Sequence, residues 1–540
     1  MVNPDMGMVV APQPAAVEEG VRVLQAGGNA FDAAIATAFA QMVVDPQMCG
    51  VGGFGCLTLY DAVHDAVVVI DFNAAAGQAA RPDQWTNVIA DEYWSGYGWA
   101  LENHANDIGY GAIATPGTVA GLAELHRRFG SRPWPELLQP AIRLARDGFL
   151  VSAELARQWA MPATGEMLPM MARLGFNDES RRIYLEQGDK PYALGQRFRN
   201  LDYAATLDRL AVLGPEEFYV GDLARRIADD LARNGSTVTL ADLQSYQPHV
   251  QDPVVGSYLG HDIATNNSPG GGVSVLEMLN ILEGYDLPAL GHNSESYVYI
   301  VARAQIAAMT DRAQYVGDPL FVDVPVATLV SKEWAGTWRE RLATAERLVA
   351  PRYHPDSPTT TNVTVVDREG NCIALTHSLG ASSGVITPGL GFMYNNAMNC
   401  FDPRPGLVNS IAPGKNRITG IAPTIAFTQS RPSVVLGAPG GTRIMTGILH
   451  VLVNVLAFGM SPVEAVSAPR FDCQSDILDA EARIPSWIKQ AAADRAGLRL
   501  WPNPASYGNF SLVQAIVLNP ETGAVAGGAD PRSGGAVMVG

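Results

Sequence analysis

Apolar and polar positions alternate most regularly between residues 360 and 379. Thr360-Thr361-Asn362-Val363-Thr364-Val365-Val366-Asp367 and Cys372-Ile373-Ala374-Leu375-Thr376-His377-Ser378-Leu379 are both rich in β-branched residues. Between them, Arg368-Glu369-Gly370-Asn371 supplies turn chemistry, so the stretch predicts a β-hairpin. The segment before it, Pro351 to Pro358, carries three prolines and predicts a loop, because proline suits neither a central strand nor a helix interior. A loop therefore delivers the triplet Thr359-Thr360-Thr361 to the start of a strand. On propensity alone, three threonines simply suit a strand.

The remaining pattern is mixed. Asn29 followed by Asp32 predicts a capped helix start, and the Ala-rich run to Val44 a helix packed closely on a sheet. A glycine loop, Asp45 to Gly55, then leads into a strand over Cys56–Tyr60. Gly50, Gly52 and Gly55 fit G-x-G-x-x-G, but the order is helix, loop, strand, the reverse of a dinucleotide fingerprint. Val67–Phe72 predicts a strand, with Asn73 after it. Helices are predicted from Ala114-Thr115-Pro116-Gly117 to Phe129, from Gln139 to Gly148, and from Gly214-Pro215-Glu216-Glu217 to Arg233. Thr239 with Asp242 predicts another cap, His261–Thr265 a strand, and Val273–Leu282 a helix. After the hairpin come a glycine-rich loop (380–391), a short strand at Phe392–Asn396, and a loop holding Arg404, Lys415 and Arg417. Strands are predicted at Ile418–Phe427 and Ser433–Gly437. Ala438-Pro439-Gly440-Gly441 then leads into a buried helix from Ile444 to Met460, and Ser461-Pro462 opens one more.

Composition narrows the partners. Apolar residues at 47% and charged residues at 17% describe a globular chain with a large core. A net charge of −17 disfavours nucleic acid and anionic membrane surfaces, both of which need clustered Lys and Arg. Cys49, Cys56, Cys372, Cys400 and Cys473 show no Cys-x-x-Cys spacing, so neither a disulfide framework nor a zinc site is expected. Reduced thiols and an N-terminus without basic and apolar regions lead us to expect a cytoplasmic protein. No cofactor and no metal are expected.

The hairpin carries more than strand propensity. Thr360-Thr361, Val365-Val366-Asp367, Gly370-Asn371 and Ser378 together resemble the hairpin that opens the small subunit of the γ-glutamyltransferase family. These are N-terminal-nucleophile (Ntn) hydrolases that cut themselves. The resemblance extends to the glycine loop at 45–55, to Ala114–Gly121, to Gln139–Phe149 and to Gly527-Gly528-Ala529-Asp530-Pro531-Arg532. It implies an α+β fold, a four-layer αββα sandwich built jointly by a large subunit (1–359) and a small subunit (360–540). It also implies cleavage between Thr359 and Thr360. A threonine hydroxyl is a poor nucleophile without a base, and a chain-terminal threonine supplies one in its own α-amine, of pKa near ~8. By the same resemblance Ser378 supports the nucleophile, and Gly440 and Gly441 form the oxyanion hole.

The departures concern the acyl group. Glutamyl-transferring members place an Arg after the Asp-Phe pair; here it is Asn73. The other positions that hold the glutamyl donor are Gly380, Ala397, Cys400, Thr419 and Gly420, where the family has Asn, Gln, Asp and a Ser pair. The substrate expected is therefore a small-molecule amide with a non-glutamyl or small-acid acyl group. Arg417, Lys415 or Arg404 could hold an acidic acyl group, although solvated loop charges are the commoner case. Three alternatives stand: a true γ-glutamyltransferase or glutathione hydrolase with a rebuilt clamp, an uncleaved relative with a binding role, and a serine hydrolase. The last rests on Gly380-Ala381-Ser382-Ser383-Gly384, which matches G-x-S-x-G but lacks the helix a nucleophile elbow needs.

Overall fold

The computed structural model describes residues 6–92, 99–163, 168–344, 348, 350, 360–508 and 510–540. Two stacked sheets form its centre. Their strands in chain order are β1 (Met8–Ala11), β2 (Phe54–Asp61), β3 (Ala66–Phe72), β4 (His249–Gln251), β5 (Val254–Tyr258), β6 (His261–Thr265), β7 (Thr361–Val366), β8 (Cys372–Ser378), β9 (Thr424–Thr428), β10 (Arg431–Gly437), β11 (Gln514–Leu518), β12 (Val525–Ala529) and β13 (Ala536–Val539). The first sheet runs β4-β3-β2-β8-β7-β1-β13 and the second β5-β6-β9-β10-β11-β12. The expected hairpin is β7–β8, with Thr361 opposite His377 and Val366 opposite Cys372. It lies inside the first sheet, flanked by β1 and β2. Every residue of both strands is buried, as in a strand covered on both faces.

The two-residue side-chain period sorts the hairpin between two cores. Val363, Val365, Ile373 and Leu375 pack with Ile35, Phe39 and Met42 of the helical layer. That layer holds α1 (Pro14–Gln25), α2 (Ala30–Val44), α3 (Thr118–Phe129), α4 (Trp134–Asp147) and α5 (Leu201–Leu213). On the opposite face, Val366, Cys372 and Ala374 meet Ile425, Val435 and Ile516 of the second sheet. The far face of that sheet is covered by α6 (Gly272–Leu282) and α8 (Arg443–Leu456), with α7 (Glu295–Tyr315) packed on α6. The layers are therefore αββα, as the resemblance implied.

Local chemistry explains the hairpin's seat. Asn29 accepts from the Phe31 and Asp32 amides and Asp32 returns a bond to the Asn29 amide, the capping box expected there. Asp367 accepts from the Ala30 amide at the first residue of α2 and from Glu369 and Asn371 in its own turn. The Val-Val-Asp ending thus pins the hairpin turn to the helix start. Thr239 with Asp242, and Ser461 with Glu464, form capping boxes too.

Four expectations need correction. Phe392–Asn396 forms no strand: Tyr394 makes one isolated bridge to Gly52, and the Asn395 and Asn396 side chains bond to backbone instead. The strand expected from Ile418 begins only at Thr424, since Pro423 offers no ladder donor. The helix expected to run from residue 214 to Arg233 is two, Glu216–Tyr219 and Asp222–Arg233. The Glu217 carboxylate accepts from the Asp222 and Leu223 amides and so starts the second one. The helix expected from Gln139 starts earlier, at Trp134, with Pro140 inside it. Thr359 and the Pro351–Pro358 loop lie outside the described residues. Among the described residues no helix is long and apolar enough to cross a membrane. All five cysteines are buried and unbridged. No group of three or more His, Cys, Asp or Glu among the described residues could hold a metal ion.

Candidate active site

Thr360, immediately before β7, is buried, and its Oγ1 lies 3.0 Å from Ser378 Oγ at the end of β8. The strand pair delivers both hydroxyls to one edge of the sheet. Ser378 Oγ also accepts from the Gly380 amide at 2.8 Å, which fixes its position. Gly380 has φ +67°, and a Cβ there would stand 2.2 Å from Asn396 Oδ1. No larger residue fits this turn, so the position is set by backbone geometry and offers no side chain to a ligand. Asn396 in turn donates to Asp107, which is ion-paired with Arg173 at 2.6 Å in the interior. Asn396 clasps the turn after Ser378, accepting from the Ala381 amide and donating its own amide to the Leu379 carbonyl.

The second sheet supplies donors. β10 ends at Gly437, where a Cβ would come within 2.2 Å of the Asn362 side-chain amide, so the sheets approach closely two residues from Thr360. Three residues further, Gly440 (φ +139°) and Gly441 (φ +57°) turn the chain into α8. Neither amide donates to an acceptor among the described residues. Free N–H groups at a helix start suit a developing oxyanion.

The positions carried over for the acyl group cluster on the β2–β3 side of Ser378, but most have been put to structural use. Asn73 donates to the Arg417 carbonyl at 2.8 Å and accepts from the Ala74 amide. Thr419 Oγ1 accepts from the Ile421 amide, and its carbonyl accepts from Arg312. Gly420 backs onto Gly441, where a Cβ would lie 2.3 Å from the carbonyl oxygen. Ala397 and Cys400 bound a buried 3-10 turn, and Cys400 Sγ is 2.6 Å from Arg417 Nη1. Of the three loop cations, only Arg404 is solvated, paired with Asp402. Lys415 is buried on the Val408 and Ser410 carbonyls. Arg417 is 3% exposed and lies 4.0 Å over the Phe54 ring. Burial of these two corrects the expectation of solvated charges. Ser382 is fully buried and no helix follows it, which removes the serine-hydrolase alternative.

One network escaped the sequence reading. On the β1 side of Thr360 lies a cavity of about 330 Å³ lined by Gln13, Asp45, Met48, Phe149, Leu155 and Thr360 among others. Asp45 accepts from Gln13 and Gln47, and burial pushes its carboxyl up to about 7. Gln13 accepts from Thr361 and Gln41, and Gln41 reaches His377 at 3.0 Å. Burial holds His377 down to about 3, so it is neutral. The available signal was Gln41, one of three polar residues, with Asp32 and Thr37, in a helix that lies wholly in the interior.

A four-layer sandwich with a buried hydroxyl at a central strand's entry is the architecture of the Ntn hydrolases. The family model described as gamma-glutamyltranspeptidase matches residues 16–540. The chain is 39% identical to the acylase ACY 1 proenzyme of Pseudomonas sp. (strain V22), covering 98% of this chain and 92% of that one. It is 32% identical to the glutathione hydrolase proenzyme of Escherichia coli (strain K12), covering 98% and 91%. The crystal structure of cephalosporin acylase from Bacillus halodurans superposes with a TM-score of 0.88 at 28% identity, covering 99% of this chain and 96% of that one. The chain belongs to the gamma-glutamyltranspeptidase family, and is an acyl hydrolase or acyltransferase of the Ntn class.

Proposed function

We propose that this chain is a precursor that cuts itself between Thr359 and Thr360, giving a large subunit (1–359) and a small subunit (360–540) that stay interwoven as a heterodimer. The Thr360 hydroxyl attacks the Thr359 carbonyl, the C–N bond breaks, and water hydrolyses the resulting ester. The freed α-amine then serves as the base for the same hydroxyl. In turnover, Oγ1 attacks an amide substrate, the amine leaving group takes the proton, and water or a second amine releases the acyl group. Gly440 and Gly441 hold the oxyanion of each tetrahedral intermediate. The observation that carries this reading is the 3.0 Å contact between the buried Thr360 and Ser378 hydroxyls at the sheet edge. Both sheets contain strands from each side of the cut, which supports a body that stays together after cleavage.

The acyl group in this reading is not glutamyl. Asn73, Thr419 and Gly420 are bound to backbone, and no charged clamp of the glutamyl kind is left at 73 or 400. Acylase and glutathione hydrolase proenzymes both align along the chain, so the assay must separate the two activities. Intact-mass analysis of wild type and Thr360→Ala tests processing: two fragments from the former and one chain from the latter are expected. An uncut wild-type chain would favour the binding-protein alternative. On the processed form, γ-glutamyl 4-nitroanilide turned over as well as small-acid anilides would overturn the acyl assignment.

A further inference from the structure

We propose that the cavity on the β1 side of Thr360 takes the amine half of the amide substrate, and that this half is an apolar amine bearing a positively charged group at its far end. The proposal rests on the Thr360 reading above and adds the class of leaving group. The two halves of an amide extend to opposite sides of the carbonyl that Thr360 Oγ1 attacks. The positions carried over for the acyl half lie on the β2–β3 side of Ser378. The cavity lies on the other side and has Thr360 in its wall. That wall also joins the proposed oxyanion turn. Leu512 lines the cavity, and its amide donates to the Pro439 carbonyl at 3.0 Å, one residue before Gly440. When the C–N bond breaks, the nitrogen takes the proton that the Thr360 α-amine drew from Oγ1, and the free amine departs through this space.

The lining sets the chemistry of that amine. A volume of about 330 Å³ is at the small end of ligand sites and suits a one- or two-ring body. Val44, Met48, Phe149 and Leu155 give apolar walls. Pro14, Ala15, Ser152 and Ala153 are exposed and form the mouth, whereas Asp45 is only 8% exposed and lies deeper. Its carboxyl accepts from Gln13 and Gln47. That uses two of the roughly four bonds a carboxylate can accept, leaving room for a donor on the ligand. Gln13 also accepts from Thr361, so one side chain fixes the carboxyl relative to the residue after the nucleophile. Glu154, likewise in the wall, adds to the negative field at Asp45 and is itself paired with Arg157 at 2.6 Å. Among the described residues no Lys, Arg or His lines the cavity. A carboxyl at depth with no cation beside it attracts one carried by the ligand, and it repels an anion.

The test uses three amines of similar size on the purified wild-type protein at pH 8. They are 4-(aminomethyl)aniline, 4-methylaniline and 4-aminobenzoate, which end in a cation, a methyl group and an anion. At that pH Asp45 is mostly ionised, since burial pushes it up to about 7. Calorimetric binding is expected to favour the cation over the methyl compound by about 10-fold or more, the range of a charge-assisted hydrogen bond, with the anion weakest. Asp45→Asn should bring the cation-to-methyl ratio to about 1, and Ala153→Trp, which fills the mouth, should weaken all three. No binding of any amine, a wild-type ratio near 1, or a ratio unchanged in Asp45→Asn that melts as a folded protein overturns the proposal. Anilides of the same three amines with one common acyl group should keep this order in kcat/KM. The comparison is made between wild type and Asp45→Asn, which cancels each anilide's own reactivity. If the amines bind as expected while the chain stays uncut and the anilides intact, the cavity stands and the Thr360 reading falls. If the anilides are cleaved and Asp45→Asn changes none of the ratios, the Thr360 reading stands and the cavity assignment falls.

Discussion

The two sides of Ser378 along the sheet edge are built differently. On the β7 side, Thr360, Ser378, Gly380 and Asn396 hold one another through short bonds and a turn that admits only glycine. On the β2–β3 side, Asn73, Cys400, Arg417 and Thr419 sit on loops where side chains can be exchanged without moving a strand. In the proposed mechanism the first region carries the reaction, and its packing leaves little room for substitution. In the proposed reading the second decides which acyl group is accepted, and most departures from the glutamyl pattern, Gly380 apart, lie there. On this proposal, machinery and acyl selectivity lie on either side of a single strand.

The sharpest way to break this comparison is to remove the proposed nucleophile. Thr360→Ala should stop chain cleavage and lower amide turnover by at least about 10⁴-fold, measured by intact mass and anilide hydrolysis. Any cleavage that persists in that variant would move the reaction elsewhere. Asp45 probes the cavity side of Thr360. Its folded pKa, about 7, lies above its ordinary 3.8 because of burial. The unfolded chain therefore ionises first, and the group's contribution to stability is full below pH 3.8 and lost as pH rises to about 7. Asp45→Asn should accordingly gain about 2–3 kcal/mol more over wild type at pH 8 than at pH 5, by urea unfolding. An equal gain at both pH values would mean that Asp45 is already ionised. Ser378→Ala removes one bond to the nucleophile and should lower kcat by roughly 10–100-fold, with KM less affected. Loss confined to KM would place Ser378 in binding.

How much of this was legible in advance follows the same divide. The hairpin, the capped α2 and the glycine turns were readable because their causes are local: β-branched alternation, an Asn-x-x-Asp cap, residues allowed at positive φ. The αββα order came from resemblance, since a sheet that interleaves residues 8–11, 361–366 and 536–539 has no local signature. Arg417 was visible as a charge but not as a buried one, because burial of a loop cation depends on Phe54, over three hundred residues away. The Gln13–Asp45–Gln41–His377 network was missed for the same reason: its members come from three separate segments. The Phe392–Asn396 strand failed because two asparagine side chains out-competed ladder bonding.

The smallest expected effect tests whether the nucleophile depends on the second sheet at all. Gly437 closes β10 opposite Asn362, and a methyl group there would press to 2.2 Å against the Asn362 amide and 3.2 Å against Thr376 Oγ1. Those two side chains are bonded to each other at the base of the Thr360–Ser378 pair. Gly437→Ala must therefore either push the sheets apart or displace Asn362, and overpacking of this kind costs about 1–3 kcal/mol. If the sheets merely separate, the melting temperature falls and kcat follows only through the distance from Thr360 to Gly440 and Gly441. If Asn362 moves instead, the start of β7 shifts and processing slows before stability does. A melting temperature and a cleavage rate both equal to wild type would show that the close approach is not needed. The oxyanion donors would then have to come from the first sheet's own loops.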